Sequence, residues 1–145
     1  MIQIFSVALG AALGVLGRYQ ITNSIKKKWL NMIYPWPTFL INFLGCLLLG
    51  LFYSLNLSEN VYLFLSMGFT ATFTTFSTFN LENIELLKSH QYRQFFKYLL
   101  ATYLLGFFGV FLGFFIGTYV ILGICLAIFF SILLYSNRNS KRTIN

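Results

Sequence analysis

The sequence has no Asp, only three Glu, one His and two Cys. With no Asp, with His90 in a polar connection and with no Ser near a credible base, the inventory for acid–base or nucleophilic catalysis is missing, so an enzyme is not expected. Cys46 and Cys125 each lie inside an apolar stretch with no His or Cys at a metal-binding spacing, and they read as inert core thiols. Charge is scarce too: ten Lys plus Arg and three Glu among 145 residues, of which 58% are apolar. That leaves too little polar surface to cover a soluble globule. A net charge of +7 would suggest nucleic acid in a soluble protein. Here the basic residues sit between apolar spans and the aromatics lie inside them, so no nucleic-acid partner is expected. Abundance lies in the 18 Phe and 9 Tyr, a load suited to helices facing acyl chains and headgroups.

Apolar segments at residues 2–21, 38–55 and 61–87 are each long enough to cross a hydrocarbon core of about 30 Å at roughly 1.5 Å per residue. No basic stretch precedes the first, and the first Lys is Lys26, so it is not expected to be a cleaved signal. A fourth apolar region, residues 95–135, would be about 60 Å long as a helix, twice the membrane. It reads as two spans turning near Gly117, Thr118 and Tyr119. With five spans all ten Lys and Arg fall on one face; with four, seven do. Cytoplasmic flanks collect such residues, so five spans are expected, N-terminus outside, in the plasma membrane.

Small and polar residues recur at spacing four: Ser6, Gly10, Gly14 and Arg18 in the first span, Thr38, Asn42, Cys46 and Gly50 in the second, Tyr98, Thr102 and Gly106 in the fourth. Gly109, Gly113 and Gly117 form a further ridge. Glycine ridges read as helix packing in lipid. The tracks holding Asn42, or Tyr98 with Thr102, ask for more, because a buried amide or hydroxyl must find a partner or line a wet path.

Residues 68–82 carry five Thr and one Ser in the middle of the third span. Such a run suits a helix that bends or breaks at membrane depth, where hydroxyls and water satisfy the freed backbone. Broken helices near the midplane make ion sites, since free carbonyls hold cations and amide ends face anions. Taken alone, the run also fits an ordinary Thr-rich helix with satisfied hydroxyls.

The hexapeptide Thr74-Thr75-Phe76-Ser77-Thr78-Phe79, followed by Glu82, resembles the signature of the CrcB-type (Fluc) fluoride channels. Gly10 through Arg18-Tyr19 and Thr38 through Asn42 and Gly45 are similar to that family's first- and second-helix motifs, and the likeness covers residues 4–118 in the family's order. The resemblance implies an all-α polytopic membrane bundle: four family-like transmembrane helices, the third broken mid-membrane, with a fifth C-terminal span added here. Residues 1–118 would be the channel-like domain and residues 119–145 an extra apolar helix with a basic tail.

By the same resemblance the function is passive, selective fluoride export through an antiparallel dimer in the lipid bilayer, which reduces fluoride toxicity. Phe76 and Phe79 match the pore phenylalanines, Asn42 would donate amide hydrogens to fluoride, and Ser77, Thr78, Tyr98 and Thr102 would supply hydroxyls. A structural sodium ion would sit on the backbone carbonyls of Ala71 and Thr74, with Arg18 and Glu82 in structural or vestibule roles. Two departures stand out. Ala71 and Thr72 occupy a family glycine pair, which puts the helix break in doubt, and Gly106 replaces a track Ser. The one-sided Lys and Arg also suggest pairing with an oppositely inserted, paralogous subunit rather than with a second copy. The alternatives are a small proton-coupled exporter, with Glu82 as its carboxylate, and a non-transporting accessory subunit.

Overall fold

The computed structural model describes residues 1–28 and 34–142; residues 29–33 of the expected first connection and the last three of the tail lie outside the described residues. Among the described residues all regular structure is helical. Helix α1 (Ile2–Lys28) is followed by α2 (Trp36–Ser54), which carries Pro37 in its first turn, where a missing N–H costs no hydrogen bond. The third unit starts as α3 (Glu59–Tyr62), widens into a π-helical stretch (Leu63–Thr70), closes as α4 (Ala71–Phe73) and resumes after an interruption as α5 (Phe76–Lys88). Helix α6 (Tyr92–Arg142) is the last described element.

Glycine sets the packing. Helix α1 lies along the π-helical stretch, and α2 along α6. Gly10 and Gly68 face each other so closely that a Cβ on Gly68 would stand 2.6 Å from the Val7 carbonyl oxygen, which no side chain tolerates. Thr72 Oγ1 lies in the same seam, within hydrogen-bond distance of Ala11 O across it at 3.0 Å and of Gly68 O in its own helix at 2.8 Å. The wide turns upstream take their own hydroxyl bond, from Thr70 Oγ1 to Leu65 O five residues back. On the opposite side Gly109, Gly113 and Gly117 run along α2, and a Cβ on Gly113 would lie 2.9 Å from Leu51 N. An aromatic core of Phe39, Phe79, Leu86 and Tyr98, flanked by Tyr34 and Trp36, joins α2, α5 and α6.

Among the described residues three uninterrupted helices are long and apolar enough to cross a membrane: Ile2–Ile25, Trp36–Ser54 and Tyr92–Phe129. The turn expected near Gly117, Thr118 and Tyr119 is corrected by the structure, because α6 runs through these residues without reversing. Gly117 is a contact point against Ser54 at the end of α2, and Thr118 Oγ1 folds back onto Phe114 O at 2.9 Å. With no proline in this region, nothing stops the helical ladder. Residues 120–135 therefore continue the fourth helix instead of returning as a separate one.

Candidate functional site

Between α4 and α5 the backbone leaves the helix at two residues, Thr74 (φ −76°, ψ 165°) and Thr75 (φ −147°, ψ 116°). Both are extended conformations open to any residue, and Ala71 is itself helical at φ −64°, ψ −34°. The doubt that Ala71 and Thr72 raised about the backbone is thereby removed: the interruption lies beyond them and needs no left-handed residue.

Asn42 of α2 holds the gap. Its Oδ1 accepts the Thr75 N–H at 2.9 Å and its Nδ2 donates to Thr75 O at 3.1 Å. One of its two amide hydrogens is thus committed to the protein and one is left for a ligand. Thr75 caps α5 by accepting the Thr78 N–H at 3.3 Å, gives its own proton to Thr78 Oγ1 at 3.0 Å, and lies 3.3 Å from Ser77 Oγ. Arg18 reaches across from α1 and donates from Nη1 to Thr74 O at 3.3 Å. A helix N-terminus, a row of hydroxyls and a guanidinium converge, an arrangement that attracts an anion.

Two cavities flank this junction. One, of about 350 Å³, is lined by Asn42, Thr75, Phe76, Phe79 and Thr102 among others, and the Thr102 hydroxyl is buried without a protein partner. The other, of about 390 Å³, is lined by Arg18, Thr38, Thr75, Ser77, Thr78 and Glu82. Thr75 belongs to both. The two phenylalanines differ sharply: Phe79 is 3% exposed and meets Tyr103 edge-on at 6.0 Å, whereas Phe76 is 68% exposed. Tyr98 lines neither cavity; fully buried, it donates to Glu82 Oε2 at 2.8 Å, while Thr38 Oγ1 donates to Glu82 Oε1 at 2.7 Å. Both oxygens of this carboxylate are therefore held by hydroxyls from α2 and α6.

The expected site residues thus divide into one set around each cavity, with Tyr98 behind Glu82. Sequence reasoning did not single out Thr75 or the Thr38–Glu82 bond. Thr78 three residues after Thr75 is an N-cap spacing, and Thr38 four residues before Asn42 shares its helix face, so both signals were present.

The residues expected to hold sodium offer two main-chain oxygens that already accept hydrogen bonds, Ala71 O from the Thr74 hydroxyl at 3.4 Å and Thr74 O from Arg18 at 3.3 Å. The Thr75 N–H that an unbroken helix would give to Ala71 O goes to Asn42 instead, and Thr74 O lies outside any helix. Thr74 O already accepts Arg18, so a cation would share that oxygen with a guanidinium.

Apolar helices on this scale, laid around an interrupted helix with buried polar groups, define a multi-pass membrane protein. Residues 5–114 match the family described as CrcB-like protein, Camphor Resistance (CrcB). The chain is 39% identical over 117 residues to the fluoride-specific ion channel FluC of Phocaeicola vulgatus, covering 78% of this chain and 96% of that protein. It is 40% identical over 114 residues to FluC 1 of Ligilactobacillus salivarius (79% and 98%) and 42% identical over 117 residues to FluC 1 of Listeria monocytogenes (81% and 98%). The chain belongs to the CrcB-like family.

Proposed function

We propose that this chain is a subunit of a passive, fluoride-selective channel that lets fluoride leave the cytoplasm and so limits its toxicity. The observation that carries the reading is the junction at Thr74 and Thr75, where Asn42, Arg18 and the capped start of α5 gather hydrogen-bond donors and positive charge between two cavities. Fluoride is small and strongly hydrated, so it needs such donors to replace its water as it passes. The exposed Phe76 and the buried Phe79 would add ring edges of partial positive charge. The relatives' names favour this over an exporter or an accessory subunit.

In this reading α1, α2, the unit broken at membrane depth and the first part of α6 make four crossings of the plasma membrane, with the N-terminus outside. Residues 119–145 extend the channel-like unit of residues 1–118. Seven of the ten Lys and Arg then share the cytoplasmic face, a bias that favours one orientation and hence an antiparallel dimer with an oppositely inserted paralogue. A structural sodium ion on the carbonyls of Ala71 and Thr74 would offset their negative ends and tie the subunits together. The test is release of fluoride from liposomes, followed by electrode, with this chain alone and with its candidate partner. Discharge without a proton gradient is expected; no discharge from either preparation refutes the reading.

A further inference from the structure

We propose that Thr75 is a positioning residue for the anion path: its hydroxyl sets the direction of the Thr78 O–H, and its backbone sets the Asn42 carboxamide. The inference rests on the fluoride reading above. Thr75 is only 8% exposed, so its polar atoms depend on protein partners. A hydroxyl has one proton and two lone pairs. One lone pair of Thr75 Oγ1 takes the Thr78 N–H, a donor that cannot be reversed. The proton goes to Thr78 Oγ1, the nearer hydroxyl at 3.0 Å, which leaves the second lone pair for Ser77 Oγ at 3.3 Å. Having accepted there, Thr78 keeps its own proton for a third party, and the exposed Thr78 hydroxyl lines the cavity that also holds Arg18.

The same logic holds at the backbone. Thr75 N–H pins Asn42 Oδ1 and Thr75 O pins one hydrogen of Nδ2, so the carboxamide cannot turn its oxygen outward. The remaining N–H belongs to the cavity that also holds Phe76 and Phe79. A single buried residue therefore fixes one donor on each side of the junction. Freely rotating, these groups would offer oxygen lone pairs to a passing anion as readily as hydrogens, and would repel it. Preorganised donors avoid that reorientation.

The experiment measures fluoride release from liposomes holding this chain, together with its oppositely inserted partner where release requires one. Thr75→Ser, which keeps the hydroxyl, should stay near the unaltered rate, and Thr75→Val should slow release at least about tenfold. If Thr75 acts through Thr78, Thr75→Val should slow release far less when Thr78 is already Val. Because Val also removes the cap, Thr75→Gly serves as a second variant: glycine is tolerated at an N-cap position and carries neither a hydroxyl nor an amide to donate to Thr78. It should be as slow as Thr75→Val. Unaltered release by Thr75→Val or Thr75→Gly overturns the inference, as does full multiplication of the effects in Thr75→Val/Thr78→Val. If the unaltered protein releases no fluoride, the fluoride reading falls and this inference falls with it.

Discussion

The guanidinium of Arg18 on α1 donates to the main-chain oxygen of Thr74, 3.3 Å away, holding a full positive charge against a carbonyl that the interruption set free. Two residues separated by 56 positions in sequence are thereby joined at the interruption between α4 and α5. The contact serves stability and electrostatics at once, and the two can be measured separately.

Arg18→Gln should lower the stability of the detergent-solubilised protein by about 1–2 kcal/mol, since a charge-assisted bond is replaced by a weaker one at a partly exposed position. It should also cut fluoride release by about tenfold, because the cavity it lines loses its attraction for anions. Thermal melting reads the first effect and an electrode the second. Melting shifts with unaltered release would assign Arg18 a purely structural role.

Phe76 and Phe79 should separate by consequence. Phe79→Ala removes a ring from the core of Phe39, Leu86 and Tyr98 and should cost about 3–5 kcal/mol. Phe76→Ile, at a site 68% exposed in the single chain, should leave folding within about 0.5 kcal/mol while depressing fluoride release. Chemical denaturation of the two variants checks the contrast, and similar losses of stability would contradict it.

Thr38→Val and Tyr98→Phe each strip one donor from the Glu82 carboxylate. Each should destabilise by about 1–3 kcal/mol, since a half-buried carboxylate loses one of its hydroxyl donors. Both donors serve one group, so the double variant should differ from the sum of the singles by about 0.5 kcal/mol or more. A double-mutant cycle on melting data tests this, and strict additivity would mean the two bonds are independent.

Expressed alone in a fluoride-sensitive host, this chain should give little protection, and co-expression with a related subunit of opposite charge bias should restore it. Labelling of single cysteines from each side reports orientation. Full protection by the chain alone, with both orientations labelled, would replace the pairing reading with a homodimer.

Much of this was legible in the sequence because amides and hydroxyls are conspicuous among apolar residues. Asn42 in an apolar helix announces a buried polar group that must be matched. Its partner was not legible, since Thr75 is 33 residues away and the bonds run to backbone atoms that carry no residue signature. The reading of residues 95–135 went astray for a related reason. Length and the one-sided Lys and Arg divided that stretch into two crossings, yet its glycines are spaced by what α2 presents to them and not by a turn. Ala71 and Thr72 drew suspicion as glycine replacements, although the residues that leave the helix are Thr74 and Thr75.

The unbroken run of α6 carries a consequence for the surrounding bilayer. Its apolar part, Tyr92–Phe129, spans 38 residues, about 57 Å as a straight rod. Fitting that length into a hydrocarbon slab of about 30 Å would require a tilt near 60°, outside the roughly 0–40° that membrane helices adopt. Gly117 is the last glycine of α6 that meets α2, and a Cβ on Gly123 would meet nothing outside its own helix within 4 Å. The hydrophobic mismatch therefore falls wholly on the unbraced end, which has to lie along the headgroup boundary or draw lipid up around it. Membrane thickness and curvature should then act on the far end of α6 while the braced bundle stays as it is.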